Sequence, residues 1–259
     1  MSATFSRIPL RQMCRPSFMR PVKNDQTERK PQYFCYYLDM IIRTDASKCR
    51  SILQGYSHFN NGMEDFWYYS DVAFETGRSY ALISEYQQGC MYLSYLLGGQ
   101  IGFKDGLEIY LDDTGITQET LKGISWNLEP YYESYKNLIV RKSIEKALKN
   151  RFVEESFEQL AEGFCLTPER YDRKLSQLSG ERWSASAAVG YASGKKVFYA
   201  PYNSSNFYSS NARLKLMINY LTSHDCMVLL PVGSDMYLKD CVDQCIYIEQ
   251  KSVWWKSKQ

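Results

Sequence analysis

The side chains able to do chemistry in this chain are few and scattered. Only two histidines occur among 259 residues. Eight cysteines stand at 14, 35, 49, 90, 165, 226, 241 and 245, none in a C-x-x-C pair. Cys241 and Cys245 fall where a helical pattern gives way to a strand, and no metal site is expected from them. His224 lies between Ser223 and Asp225, a tempting trio, but it ends a helical pattern and reads as a helix-end residue. Cys90 opens a helical pattern, where a thiol can be activated, yet no histidine is near it in sequence to act as a base. Leu178, Ser179 and Gly180 precede a run of small apolar residues. Ser179 there is either a helix cap or, with the neighbouring backbone N–H groups, a contact for an anion. Glu181 subtracts from such an anion site and Arg182 restores it.

Composition bounds what could position these groups. The chain is 44% hydrophobic and 23% charged, enough apolar material for a substantial core, which excludes a wholly disordered chain. Mean hydropathy is −0.44, and no run of eighteen apolar residues is present to span a bilayer. A net charge of +2 argues against a general nucleic-acid binder. The charge is uneven: residues 1–30 carry +5 and the rest −3. With Pro9, Pro16 and Pro21, the basic segment reads as a mobile arm suited to an anionic partner or membrane surface. The alternative is that translation starts downstream, at Met40 or Met63. No signal-peptide pattern is visible, so a reduced, cytosolic protein is expected.

Periodicity supplies the elements. Residues 78–84 form a short apolar strand pattern, 85–89 a turn, and Met91, Leu93, Tyr95, Leu96 and Leu97 a helical face ending at Gly98 and Gly99. A turn at 105–106 leads into an alternating strand at 107–111. From about 114 to 192 helical patterns dominate, at 140–148 and 153–164, with a further helix start at 167–170 where Pro168 takes the first position. Residues 180–191 are small and apolar, suited to close packing on a sheet. Strand 196–200, helix 209–222, strand 226–232, helix 235–241 and strand 244–248 follow. This alternation predicts an α/β fold with a mostly parallel sheet and a helical insertion. The expected division is a basic arm and loosely assigned segment at 1–60, a domain at 61–250 with a helical subdomain at about 114–192, and a tail at 251–259.

In this order the elements resemble the nucleotide-binding subunit of an ATP-binding cassette (ABC) transporter, over roughly residues 66–250. Residues 70–75 and 80–83 look like that family's lead into its P-loop, and 107–112 like the strand that follows. Residues 135–140 resemble the start of its helical subdomain. Residues 166–170 and 173–180 resemble the approach to its signature motif, LSGGQ. Lys195, Lys196, Val197, Phe198, Tyr199 and Pro201 fall where its Walker B strand would be. The resemblance implies a P-loop NTPase-like ABC ATPase fold.

The catalytic letters depart from it. A P-loop reads G-x-x-x-x-G-K-[ST], with backbone N–H groups cradling phosphate, Lys neutralising it and a hydroxyl holding Mg²⁺. The corresponding residues here are Ser84, Glu85, Tyr86, Gln87, Gln88, Gly89, Cys90 and Met91. Gly89 alone survives. Walker B ends Asp-Glu-Pro in the family; Tyr199 and Ala200 precede Pro201 here. Ser234 stands at the switch-histidine position, and Glu129 at the Q-loop glutamine. Leu178, Ser179, Gly180, Glu181 and Arg182 occupy the signature, which in the family reaches a γ-phosphate held by a partner's P-loop.

The resemblance therefore implies an ABC-type subunit with a degenerate Walker A, Walker B and H-switch. No cofactor of its own is required, and ATP and Mg²⁺ would be met only at a site shared with a partner. Its expected partners are a membrane permease and a second, catalytically intact ABC ATPase, with no nucleic acid. Its expected place is the cytoplasmic face of the membrane, held through those subunits. The alternative is a regulatory or scaffolding module that kept the fold and lost transport.

Overall fold

In the computed structural model the residues described are 41–45, 63–68, 72–84, 89–102, 108–130, 133–236, 238 and 240–254. They belong to one unit, Tyr37–Gln259. The basic arm at 1–30 lies outside the described residues, as do 85–88 and 255–259.

In chain order the elements are β1 (Ile41–Asp45), β2 (Met63–Tyr68), β3 (Val72–Glu75), β4 (Ser79–Ile83), α1 (Gly89–Leu97), β5 (Glu108–Leu111), β6 (Thr114–Gly115), α2 (Gln118–Ile124) and β7 (Ser125–Asn127). Then come α3 (Val140–Leu148), α4 (Phe157–Gly163), α5 (Arg182–Ala192), β8 (Val197–Tyr199), α6 (Ser205–Ser210), α7 (Ala212–Ser223), β9 (Met227–Val232), β10 (Gln244–Tyr247) and β11 (Glu249–Trp254).

The centre is a five-stranded parallel sheet in the order β10-β4-β9-β8-β7. Its middle strands are buried on both faces, which is why β9 reads as an unbroken apolar run rather than an alternating one. Successive side chains still point to opposite faces. Ala81, Ile83, Phe198, Val228 and Leu230 join the core beneath α3, α4, α5 and α7. Tyr80, Leu82, Val197, Tyr199, Met227 and Leu229 join the core beneath α1. An antiparallel sheet, β3-β1-β5-β6, adds Ile42, Phe74, Ile109 and Leu111 to that second core. The β5–β6 turn places Asp112 and Asp113 at positive φ, as a two-residue hairpin of the type I′ class demands. β11 pairs antiparallel with β2.

The start of β4 is clasped to the segment before β10. Ser79 donates its backbone N–H and hydroxyl to the Asp243 carboxylate at 2.8 and 2.7 Å. The Asp243 N–H returns a bond to Ser79 Oγ at 3.1 Å.

Several boundaries differ from the sequence reading, each for a local reason. β1 falls inside 1–60, and β11 runs into the expected tail. β7 lies inside the stretch 114–192, between α2 and α3, so that stretch is not helical throughout. α4 starts at Phe157, not 153, because Ser156 and Gln159 form a capping box that fixes its first turn. Residues Pro168–Arg170 make one 3-10 turn, not a helix start. The helix expected at 235–241 is replaced by turns around Leu238 and Cys241, with 237 and 239 outside the described residues. Among the described residues no helix is long and apolar enough to cross a membrane.

Candidate functional site

Two places collect the residues singled out by sequence: the C-terminal ends of β4, β8 and β9, and the start of α5. At the first, α1 begins with buried Gly89 and Cys90 directly after the undescribed residues 85–88. The Cys90 backbone N–H donates to Ser84 Oγ at 2.9 Å, and its thiol faces the Ser84 carbonyl oxygen at 3.8 Å. Cys90 is 0% exposed. Burial pushes its thiol up from the ordinary range, the reverse of what a nucleophilic cysteine needs. Met91 is half-buried and packs against the core beneath α1.

The end of β8 is closed in the same manner. The Tyr199 ring lies beneath the last turn of α1, where a Cβ on Gly98 would stand 2.6 Å from it. Tyr199 also makes an edge contact with Tyr95, centroids 6.1 Å apart. Burial pushes its phenol up. Ala200 is fully buried, and its carbonyl accepts the Ser94 hydroxyl at 3.3 Å. Beyond it, buried Tyr208 donates to the Pro201 carbonyl at 3.4 Å. The Tyr202 hydroxyl packs where Gly233 carries no side chain. Ser234 meets Ser205, hydroxyl to hydroxyl, at 3.2 Å.

A bound MgATP requires a cation and a hydroxyl at the head of α1 and a carboxylate at the end of β8. The described residues there are Ser84, Gly89, Cys90, Met91, Tyr199 and Ala200, which carry neither cation nor carboxylate. The Ser84 hydroxyl already accepts from Cys90.

The start of α5 is arranged differently. Leu178 is buried, while Ser179 and Gly180 are exposed, and nothing lies within 4 Å of a Cβ placed on Gly180. Ser179 is not the helix cap: Glu181 holds that position, and no side chain caps the helix there. The Glu181 carboxylate turns inward instead, with its side chain 1% exposed. It accepts the Thr167 N–H at 3.2 Å and hydroxyl at 2.7 Å, pairs with Arg213 at 2.5 Å and faces Arg170 at 3.5 Å. One buried carboxylate thus joins the 168–170 turn, α5 and α7.

Arg182 also turns inward. Its Nη2 donates to Glu129 Oε2 at 2.6 Å, and Trp183 Nε1 donates to the same oxygen at 3.1 Å. Glu129 follows β7, its backbone N–H bonded to Asn127 Oδ1 at 3.0 Å. The charges of Glu181 and Arg182 are therefore both spent on internal pairs, leaving Ser179 and Gly180 as the outward face. The Glu129–Arg182 contact spans 53 positions, a separation that no local pattern announces. Glu181 with Thr167, Arg170 and Arg213 was equally invisible in sequence. His224 caps the end of α7, stacked on Tyr220 with centroids 4.1 Å apart, its Nδ1 lying 2.7 Å from the Tyr220 carbonyl oxygen and 3.1 Å from Ser223 Oγ.

No family model and no curated protein sequence matches the chain. Solved structures do. The ADP conformation of an ATP-binding cassette of an ABC transporter matches with a TM-score of 0.56 at 15% identity, over 81% of this chain and 89% of that one. A subunit of the cbiONQ ABC transporter complex of Clostridium perfringens matches with a TM-score of 0.51 at 12% identity, over 72% and 81%. An ABC transporter ATP-binding protein of Pyrococcus furiosus matches with a TM-score of 0.52 at 12% identity, over 80% and 96%. The chain has the fold of the ATP-binding cassettes of ABC transporters.

Proposed function

We propose that this chain is a catalytically impaired ATP-binding-type subunit that completes the ATP site of a second, intact ATPase within a heteromeric ABC transporter. The observation that carries the reading is the contrast at its two candidate sites. Where the chain would hold its own nucleotide, Cys90 and Tyr199 are buried; at the start of α5, Ser179 and Gly180 are exposed. A serine hydroxyl and free backbone beside a helix N-terminus suit a phosphate presented from outside. The cassette fold, and a structural neighbour that is part of a transporter complex, support a membrane permease as the other partner. The chain would then sit on the cytoplasmic face of the membrane through those subunits, with ATP and Mg²⁺ bound only at the shared site.

The test is the complex copurified with the tagged chain from its own membranes. A permease and a second ATPase should accompany it, and the complex should hydrolyse ATP. Ser179→Glu places like charge against a phosphate and should abolish most of that activity. Ser179→Ala removes one hydrogen bond to a charged group, about 1.5–3 kcal/mol or roughly 10- to 150-fold in rate. The isolated chain should bind MgATP no tighter than high micromolar by calorimetry. Equal rates for wild type and Ser179→Glu, or no permease in the preparation, would favour a scaffolding module that kept the fold.

A further inference from the structure

Among the described residues Glu129 makes no hydrogen bond to Ser179 or Gly180, yet its partners stand next to the turn that holds them. Its carboxylate is the common acceptor for the first two side chains of α5, Arg182 and Trp183. Arg182 then reaches back: its Nη1 lies 3.4 Å from the Leu178 carbonyl and its backbone N–H donates to the Ser179 carbonyl at 2.9 Å. Two carbonyls of the exposed turn are therefore held by one arginine, and that arginine is held by Glu129. The anchor is itself fixed, since the Glu129 side chain is only 12% exposed and its N–H is bonded to Asn127. Asn127 in turn donates to Glu133 at 2.8 Å and accepts the Tyr135 hydroxyl on its carbonyl at 2.6 Å. A charge-assisted bond in a poorly solvated site is stronger and more directional than one between neutral groups.

We propose that Glu129 is a positioning residue for the Ser179–Gly180 turn: by holding Arg182 and Trp183 it ties the start of α5 to the end of β7 and keeps the turn in one conformation. Nothing lies within 4 Å of a Cβ placed on Gly180, so between buried Leu178 and anchored Glu181 the exposed turn relies on this tie and would sample more conformations without it. Ser179 would then meet a phosphate only a fraction of the time, and apparent affinity falls by that fraction. The functional half of the inference rests on the reading of Ser179 as a contact to a partner's nucleotide; the conformational half does not.

Amide hydrogen exchange on the full chain tests the conformational half. Glu129→Ala should speed exchange at Arg182 and Ala185 at least tenfold while amides of β9 keep their wild-type protection. Glu129→Gln, which keeps the shape and one acceptor oxygen, should restore most of that protection. Unchanged exchange at 182–185 in Glu129→Ala would overturn the proposal. If that variant loses protection throughout, Arg182→Met, which removes the guanidinium that Glu129 holds, decides: faster exchange confined to 178–185 supports the proposal, and wild-type exchange there overturns it. The copurified complex tests the functional half. Glu129→Ala should lower its ATPase rate less than Ser179→Glu does, with Glu129→Gln recovering most of the rate. A rate that falls with Ser179→Glu but not with Glu129→Ala overturns positioning while leaving the shared site intact. A rate indifferent to both variants overturns the shared site and leaves the exchange result to decide positioning.

Discussion

The ends of β4 and β8 and the start of α5 dispose of their side chains in opposite ways. At the strand ends, Cys90, Met91 and Tyr199 are apolar or aromatic and join the core beneath α1. At α5, Glu181 and Arg182 are charged, and each has an internal partner of opposite sign. The Cys90 thiol there is buried against the Ser84 carbonyl and the Tyr199 ring against Tyr95. Burying Glu181 is tolerable only because Thr167, Arg170 and Arg213 surround it. The first route consumes a surface. The second leaves one, because the inward turn of Glu181 and Arg182 exposes the residues between them and Leu178.

The sharpest way to break this contrast is to write the missing charge back into the strand ends. Cys90→Lys puts an ammonium where no solvent reaches and should lose about 3–5 kcal/mol in urea unfolding, with no gain in MgATP binding. A variant of unchanged stability that binds nucleotide would show that the site was merely unoccupied by a cation and is otherwise intact. Glu181→Ala attacks the other region. Its arginine partners are about a third exposed and can turn to water, so the loss should be smaller, about 1.5–3 kcal/mol by the same measurement. A loss as large as that of Cys90→Lys would mean the two regions are equally buried in energetic terms.

A milder probe is alkaline pH. Burial pushes the Cys226 thiol from 9.0 up to about 12. Between those values the unfolded chain gives up its proton and the folded chain keeps it. Stability from this group is therefore complete below pH 9 and declines as pH rises toward 12, by at most about 1.4 kcal/mol per unit. Urea midpoints at pH 8 and pH 10 measure the slope, which Cys226→Ala should flatten; equal slopes would refute the assignment. The smallest effect belongs to the exposed turn. Ser179→Ala should change stability by less than about 0.5 kcal/mol, so any loss of ATPase in the complex reads out contact and not folding.

Much of the parallel sheet was legible because its strands are short apolar runs between glycines and turns. β4, α1, α3 and β9 fall within a residue or two of the periodic pattern. β1 was hidden because its residues, Ile41, Ile42, Arg43, Thr44 and Asp45, carry too little alternation to stand out from a basic, polar stretch. The 167–170 turn misled because Pro168 permits a helix start without requiring one, and the buried Glu181 carboxylate claims Thr167 instead. Of the candidate site, the order of elements alone put Cys90 at a helix start, Tyr199 at a strand end and Ser179 just ahead of a helix. Which way Glu129, Glu181 and Arg182 point was not, since their partners are brought by tertiary packing from 11 to 54 positions away.

The clasp between Ser79 and Asp243 bears on how the chain comes into being. β4 finds its two neighbours in β9 and β10, and its first residue is fastened to one 164 positions later. At about 5–20 residues per second of synthesis, some 8–30 s pass between the emergence of Ser79 and that of Asp243. Until β9 follows, that apolar strand has both edges unpaired, and until β10 follows it has one, the condition that invites strand-to-strand aggregation. Truncation before β9 should therefore yield insoluble product rather than a smaller folded unit.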